Sequence, residues 1–316
     1  MSTAAQPGPT APRELVIARR MGRLANRLVL FASFAAFAEE HGYGLTNVTF
    51  HSYEGWFEAT RRNISCRYPP PRRRSMVDLI PGLNPLLRRT RVLTHLARGA
   101  SAVVERCGWF RPWAVTWRDT AQAGITWLDD DAATEFLRPA RVVFVNGWTF
   151  RAPRLLRKHA AKIREFFRPV AEVRAHVERT LRPLRERADV IVGVHVRRGD
   201  YRTWQGGRYF YPPAAYAAWM REFAAAWPGR RVGFFVSSDE PLPAAEFAPL
   251  DVQFAGGPTA VHDLHALAAC DYLFGPPSTF SQWASFAGDT PVQHLEAADE
   301  HVDLARFHVS HFERIW

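Results

Sequence analysis

Val190-Ile191-Val192-Gly193-Val194-His195-Val196-Arg197-Arg198-Gly199-Asp200-Tyr201 is the stretch whose reading decides the fold. Its first seven residues form a short apolar run that ends abruptly in charge, the pattern of a buried strand. In open α/β sheets ligands sit beyond the carboxyl ends of the strands. A rigid element therefore delivers Arg197 and Arg198 to that crevice, and Gly199 permits a sharp exit. A guanidinium fork matches two phosphate oxygens at once and keeps its proton, so a phosphate or pyrophosphate is its natural guest. A strand end with two solvated arginines explains the same spacing as well.

The second half of the chain alternates around this strand. The pattern predicts a helix near Pro213 to Trp227, a strand Val232 to Val236, a helix Val261 to Ala269, a strand Tyr272 to Phe274 and a helix Thr279 to Phe286. That alternation predicts a parallel α/β lobe. Two further strands end on the same side, in Ser237-Ser238-Asp239 and in Gly275-Pro276-Pro277-Ser278-Thr279. Ser278 or Thr279 caps the helix that follows, and a helix N-terminus also suits phosphate.

Toward the N-terminus, Glu14 to Ala18 reads as a strand. Met21-Gly22-Arg23-Leu24-Ala25-Asn26-Arg27 then turns into a long apolar helix ending near His41-Gly42, a nucleotide-fold opening. Gly22 lets the backbone approach a ligand, and Arg23 and Asn26 can hydrogen-bond an anionic or hydroxyl-rich guest; a single glycine also closes turns with no further role. Leu45 to Phe50 is the expected second strand. From His51 to Ala140 the pattern degrades into a lobe-specific region with a stiff basic loop, Pro69-Pro70-Pro71-Arg72-Arg73-Arg74. Trp109, Trp113, Trp117 and Trp127 read as core in preference to sugar- or base-stacking platforms. Asp129-Asp130-Asp131 reads as the acidic N-terminus of a helix over Ala132 to Leu137 in preference to a metal-binding DxD. Arg141 to Val145 is another buried strand. Pro153 to Arg187 reads as separate helices broken at Pro169 and Pro183, bridging two lobes that meet near residue 187.

The length of 316 residues and a 47% hydrophobic content suit two domains of ordinary size. Forty-one Lys plus Arg against 31 Asp plus Glu leave a net charge of +10, nearly all from arginine. This excess suits anionic small molecules, nucleic acid or an anionic membrane surface without choosing among them. Cys66, Cys107 and Cys270 lack both the even count of a disulfide framework and zinc spacing, so a reducing, cytoplasmic setting is expected. Residues 1–12 read as a disordered tail with no secretory pattern. Leu28 to Ala38 is too short to span a bilayer and contains Ser33, so it reads as a buried helix. No GxSxG elbow or GxxxxGK phosphate loop occurs, and His262, Asp263 and His265 lack a second ligand cluster for a metal.

Three blocks together resemble one family. His195-Val196-Arg197-Arg198-Gly199-Asp200 resembles the HxRRxD signature of the GDP-fucose-dependent fucosyltransferases, a superfamily that includes α1,2-, α1,6- and protein O-fucosyltransferases. Met21 to Asn26 is similar to their glycine-asparagine loop. His262-Asp263 through Gly275-Pro276-Pro277-Ser278-Thr279-Phe280-Ser281-Gln282-Trp283 resembles the bacterial α1,2 pattern, although relatives carry asparagine before the serine. The resemblance implies an α/β, GT-B-like fold of two Rossmann-like lobes with a nucleotide-sugar cleft between them. The expected layout is an acceptor lobe at 13–187 and a donor lobe at 188–316. It also implies inverting, metal-independent transfer of fucose from GDP-fucose to a glycan hydroxyl, with no cofactor and no nucleic-acid partner. Carried onto this chain, Arg197 and Arg198 meet the diphosphate and Asp263 meets guanine. His195, Ser238, Asp239, Ser278, Thr279, Gly22 and Asn26 lie around the nucleotide. The α1,6 relatives carry a glutamate base about ten residues after the histidine, where this chain has Gln205, so the base is unassigned. Asp200 is a candidate, or else it orients Arg198. The alternatives are another GDP-sugar, a protein O-fucosyltransferase-like activity, or a basic module that binds nucleic acid or anionic glycan. Peripheral association with a membrane stays open.

Overall fold

A computed structural model describes residues 13–71, 91–111, 113–119 and 124–315. The expected tail 1–12 and Arg72-Arg73-Arg74 of the basic loop lie outside the described residues. The chain divides into two compact units, Met1–Gly22 with Leu30–Phe166, and Arg23–Val29 with Phe167–Trp316.

The first unit runs β1 (Glu14–Ile17), most of α1 (Leu24–His41), β2 (Gly44–Thr46), β3 (Arg67–Tyr68), α2 (Val92–Arg106) and β4 (Ala114–Arg118). It continues through β5 (Thr126–Trp127), α3 (Asp131–Leu137), β6 (Val142–Asn146), β7 (Phe150–Arg151), α4 (Pro153–Lys158) and α5 (Ala160–Phe166). Its main sheet has the order β3-β2-β1-β6-β4, parallel except at β3, and β5 pairs with β7 separately. Helix α1 is the apolar run expected from sequence. Phe31, Phe34 and Phe37 are fully buried along it, with Phe31 meeting Phe50 and Phe166 edge-on. The strand expected over 45–50 stops at Thr46, because Asn47 Oδ1 accepts from both the N–H and the hydroxyl of Thr49 and turns the chain.

Two expectations are corrected in this unit. Trp109 and Trp113 are 97% and 55% exposed, against the expectation of core, whereas Trp117 packs on Phe34 and Phe150 as expected and Trp127 is partly buried. Of the three acids, Asp130 makes no side-chain cap to its own helix. Asp129 instead accepts from the N–H groups of Arg154 and Leu155 at 2.7 and 3.1 Å, so it serves the first turn of α4, distant in sequence.

The second unit opens with α6 (Ala171–Arg187), followed by β8 (Val190–Val196), α7 (Pro213–Ala225), β9 (Val232–Ser238) and β10 (Asp251–Phe254). It closes with α8 (Ala260–Ala268), β11 (Tyr272–Gly275), α9 (Thr279–Gly288) and β12 (Val292–His294). Val173, Val177, Leu181 and Leu184 bury one stripe of α6, and a Cβ on Gly233 of β9 would lie 2.7 Å from Leu184 Cδ1. That close packing places α6 with the second unit, and Pro183 lies inside the helix where a break was expected. The buried leucines on either side of the proline offset the hydrogen bond it removes.

The second sheet has the order β10-β9-β8-β11-β12, and every pair is parallel. Counted along the unit this is 3-2-1-4-5, so the winding direction reverses between β8 and β11. The strand quoted first is thus the central one, with all seven residues buried. Strands β10 and β12 escape sequence detection because one is a polar edge and the other is only three residues long.

Candidate active site at the carboxyl end of the second sheet

Strands β8, β9 and β11 run parallel, so their ends share one side of the sheet, as the alternation predicted. Arg197 and Arg198 leave β8 at the reversal point. Both are anchored by carboxylates. Arg197 Nη2 lies 2.7 Å from Asp200 Oδ1, and its Nη1 lies 2.9 Å from Asp239 Oδ2. Arg198 donates from Nε to Glu240 Oε2 at 3.3 Å and from Nη1 to the Tyr211 carbonyl at 3.0 Å, and its backbone N–H reaches Asp239 Oδ1 at 2.8 Å. Arg202 Nη2 meets the same Glu240 oxygen at 2.7 Å. The Arg198 and Arg202 guanidinium groups lie 4.5 and 4.8 Å from the centre of the Phe210 ring. Three cations therefore face three acids. The bare pair of arginines implied by the sequence is a fixed, charge-balanced lattice whose long side chains have already lost much of their rotamer freedom.

Asp200 meets Arg197, which corrects the alternative that it orients Arg198; Glu240 does that, and the sequence reading missed it. Its position beside Ser238-Asp239 was the available signal. Ser238 Oγ accepts from the Glu240 N–H at 3.2 Å, fixing the turn that aims this acid. Gly199 is needed for close approach, since a Cβ there would stand 2.8 Å from Asp239 Oδ2.

Within the second unit, the loop after β11 meets the end of β8 and Asn26. Tyr201 donates its hydroxyl to the Pro277 carbonyl, tying the end of β8 to this loop. Ser278 Oγ caps α9 by accepting from the Phe280 N–H at 3.1 Å, as expected. Thr279 Oγ1 donates to Asn26 Oδ1 at 2.6 Å. Gly22 takes a positive φ of 60° in the turn before α1. His195 is buried and lies 5.1 Å from Phe280 in a stacked arrangement, its Nδ1 without a hydrogen-bond partner among the described residues. Burial, with Arg197 nearby, lowers its pKa to about 3, so it is neutral. His294, bonded through Nε2 to Ser281 Oγ at 2.9 Å, is likewise held near 3, chiefly by burial.

Asp263 stands apart. It occupies the first turn of α8, after β10, and its Oδ1 accepts from the Gly257 N–H at 3.1 Å. Burial raises its carboxyl pKa, and no hydrogen bond joins it to the arginines. His262 is beside it, with Nδ1 on the Thr259 hydroxyl. Among the described residues, no group of three or more His, Cys, Asp or Glu side chains is arranged to hold a metal ion. Gln205 lies in a short turn at φ 49°, and among the described residues Cys66, Cys107 and Cys270 form no disulfide.

Residues 146–296, from the end of β6 to just past β12, match the glycosyl transferase family 11 model. No curated protein sequence matches the chain. Among solved structures, a mutant of FUT1 from Arabidopsis thaliana in complex with GDP superposes with a TM-score of 0.59 at 13% identity, covering 96% of this chain and 75% of that one. Fucosyltransferase NodZ from Bradyrhizobium gives 0.51 at 15% identity over 91% and 97%. NodZ α1,6-fucosyltransferase soaked with GDP-fucose gives 0.51 at 17% identity over 94% and 97%. At these identities the likeness is one of fold, which is α/β and GT-B-like with two Rossmann-like units.

Residues 146–296, just under half of the chain, are similar to glycosyl transferase family 11. Among the superposed structures the named activity is fucosyl transfer, and what this chain shares with them is the fold.

Proposed function

We propose that this enzyme moves fucose from GDP-fucose to a glycan hydroxyl, with inversion, without a metal ion and in the cytoplasm. The observation that carries the reading is the delivery of Arg197 and Arg198 to the reversal point of the second sheet, already held by Asp239 and Glu240. As the bond from the anomeric carbon to the donor oxygen breaks, negative charge gathers on the β-phosphate. Guanidinium groups fixed beforehand stabilise that charge without reorganising, and they supply it without proton exchange. The attacking acceptor hydroxyl forms the new bond from the opposite face in one displacement, and its proton passes to a carboxylate. Asp200, half-exposed and next to Arg197, is the group we assign to that role.

The nucleotide contacts follow the same surface. The Thr279 hydroxyl is committed to Asn26, and the Ser278 oxygen to the helix cap. Asp263, with Oδ1 fixed by Gly257, presents a carboxylate that suits the parallel N1–H and 2-amino donors of guanine. His195, being neutral, packs near the nucleotide without adding charge.

A donor screen by released nucleotide tests this reading. GDP-fucose should be consumed in preference to GDP-mannose and to UDP-sugars, and transfer should survive EDTA. GDP should raise the melting temperature where UDP and ADP do not. Failure of GDP to stabilise the protein, or equal use of UDP-sugars, would overturn it.

A further inference from the structure

Helix α2 carries two apolar faces. One packs inward: Thr94, Ser101 and Val104 are buried, Ala97 packs beside Val104, and Ala18, Ala114 and Phe144 complete that small core. The other faces solvent. Val92, Leu96 and Val103 are 37%, 63% and 49% exposed, and their spacing of four and seven residues aligns them on one side of the helix. The stripe continues into the turn that follows, where Trp109, Phe110 and Trp113 are 97%, 41% and 55% exposed. Large apolar side chains gathered in this way on a soluble surface mark an interaction site.

The charge around the stripe selects the partner. Arg91, Arg98, Arg106 and Arg111 are exposed and form no ion pair among the described residues. The one acid on the helix, Glu105, is already matched by Arg118 at 2.6 Å. An aliphatic ridge ending in indole rings and rimmed by guanidinium groups has the chemistry of an interfacial helix, with the ridge in acyl chains and the arginines on lipid phosphates. A second copy would bring this rim against itself, because a twofold contact sets like against like. Nucleic acid would use the arginines but leave Val92, Leu96 and Val103 in water. Among the described residues no helix is long and apolar enough to cross a membrane, so this contact lies on the bilayer surface.

We propose that α2, the 108–111 turn and Trp113 dock the protein on an anionic lipid bilayer, with Trp109 and Trp113 at headgroup depth. Vesicle co-sedimentation of the full chain tests it, using phosphatidylcholine with and without phosphatidylglycerol. Wild type should partition onto the anionic vesicles and release as salt rises. The variant L96S/V103S/W109S should bind about tenfold more weakly or less. These side chains are exposed, so the variant should keep the wild-type melting temperature and GDP response, which separates loss of docking from loss of fold. Equal binding by wild type and variant, equal binding to both vesicle types, or no binding at low salt would overturn the proposal. So would a dimer in analytical ultracentrifugation that the same substitutions dissolve.

Discussion

Thr279 Oγ1 donates to Asn26 Oδ1 at 2.6 Å, joining residues 253 positions apart. The first turn of α1 is thereby pinned to the first residue of α9, next to the cap formed by Ser278. Asn26, which the motif alone would assign to a ligand, spends its carbonyl oxygen inside the protein. This bond is part-buried, so Thr279→Val should cost about 1 kcal/mol and Asn26→Ala a similar amount. The double variant should cost less than the sum, since each single change already breaks the bond. Urea unfolding of the four proteins measures this, and strict additivity would show that the two side chains act independently.

Arg198→Ala should abolish transfer and leave the fold intact, because the side chain projects from a strand end into a network of partners and is not part of the apolar core. Glu240→Gln keeps the shape and removes the charge that orders Arg198 and Arg202 through one oxygen. It should lower kcat by about 10-fold to 100-fold, since a misplaced cation stabilises the transition state poorly. Steady-state kinetics on both variants, with circular dichroism as the folding control, gives the answer.

For Asp200→Asn the two possible duties separate cleanly. A general base lost in this way costs about 10²- to 10⁴-fold in kcat and removes the acidic limb of the pH–rate profile. A residue that merely steadies Arg197 would show chiefly in KM for the donor. We expect the first pattern, and a variant with normal kcat would exclude Asp200 as the base.

Acid should weaken this protein before its carboxylates titrate. His195 and His294 are held near 3 and His265 near 4, each chiefly by burial, against an ordinary 6.5. Below 6.5 the unfolded chain takes up protons that the folded chain refuses. Stability is therefore level above 6.5 and falls as the pH drops toward 3, with a limiting slope of about 1.4 kcal/mol per pH unit for each histidine. The Glu40 carboxyl, drawn down to about 2 by Lys158 and His159, adds to the loss only below 4.5. Urea unfolding between roughly pH 5 and 6.5 isolates the histidines. Conversion of His294 to Gln should flatten the curve by one proton's share; an unchanged slope would mean that His294 is protonated in the fold.

Gly275→Ala should be among the most damaging single changes. A Cβ at this position would stand 2.2 Å from the His195 carbonyl oxygen, a backbone atom that cannot swing aside. The neighbouring strands β8 and β11 would have to separate at the site itself. A loss of roughly 3 kcal/mol or more is expected, seen as a lower melting temperature or failure to express soluble protein.

Much of the second unit is legible in its residues. The apolar run 190–196, the arginines after it and the two other strand ends are local patterns, each written in contiguous residues, and each is found where its periodicity placed it. The same is true of the long apolar helix α1 and of the Ser278 cap. What the sequence by itself determined is therefore the set of elements and the type of chemistry at their ends, because periodicity and turn chemistry act over only a few residues. Tertiary structure alone decided which acid holds which arginine, that Asp129 serves α4, that Asn26 is taken by Thr279, and that Trp109 faces water while Trp117 does not. Those outcomes depend on strand order and register, which bring together side chains tens to hundreds of residues apart. Glu240 reaches Arg198 because β9 lies beside β8 in parallel register, with Ser238 opposite Val196. Such a pairing belongs to the assembled sheet, where each strand's neighbours are chosen by packing across the whole unit.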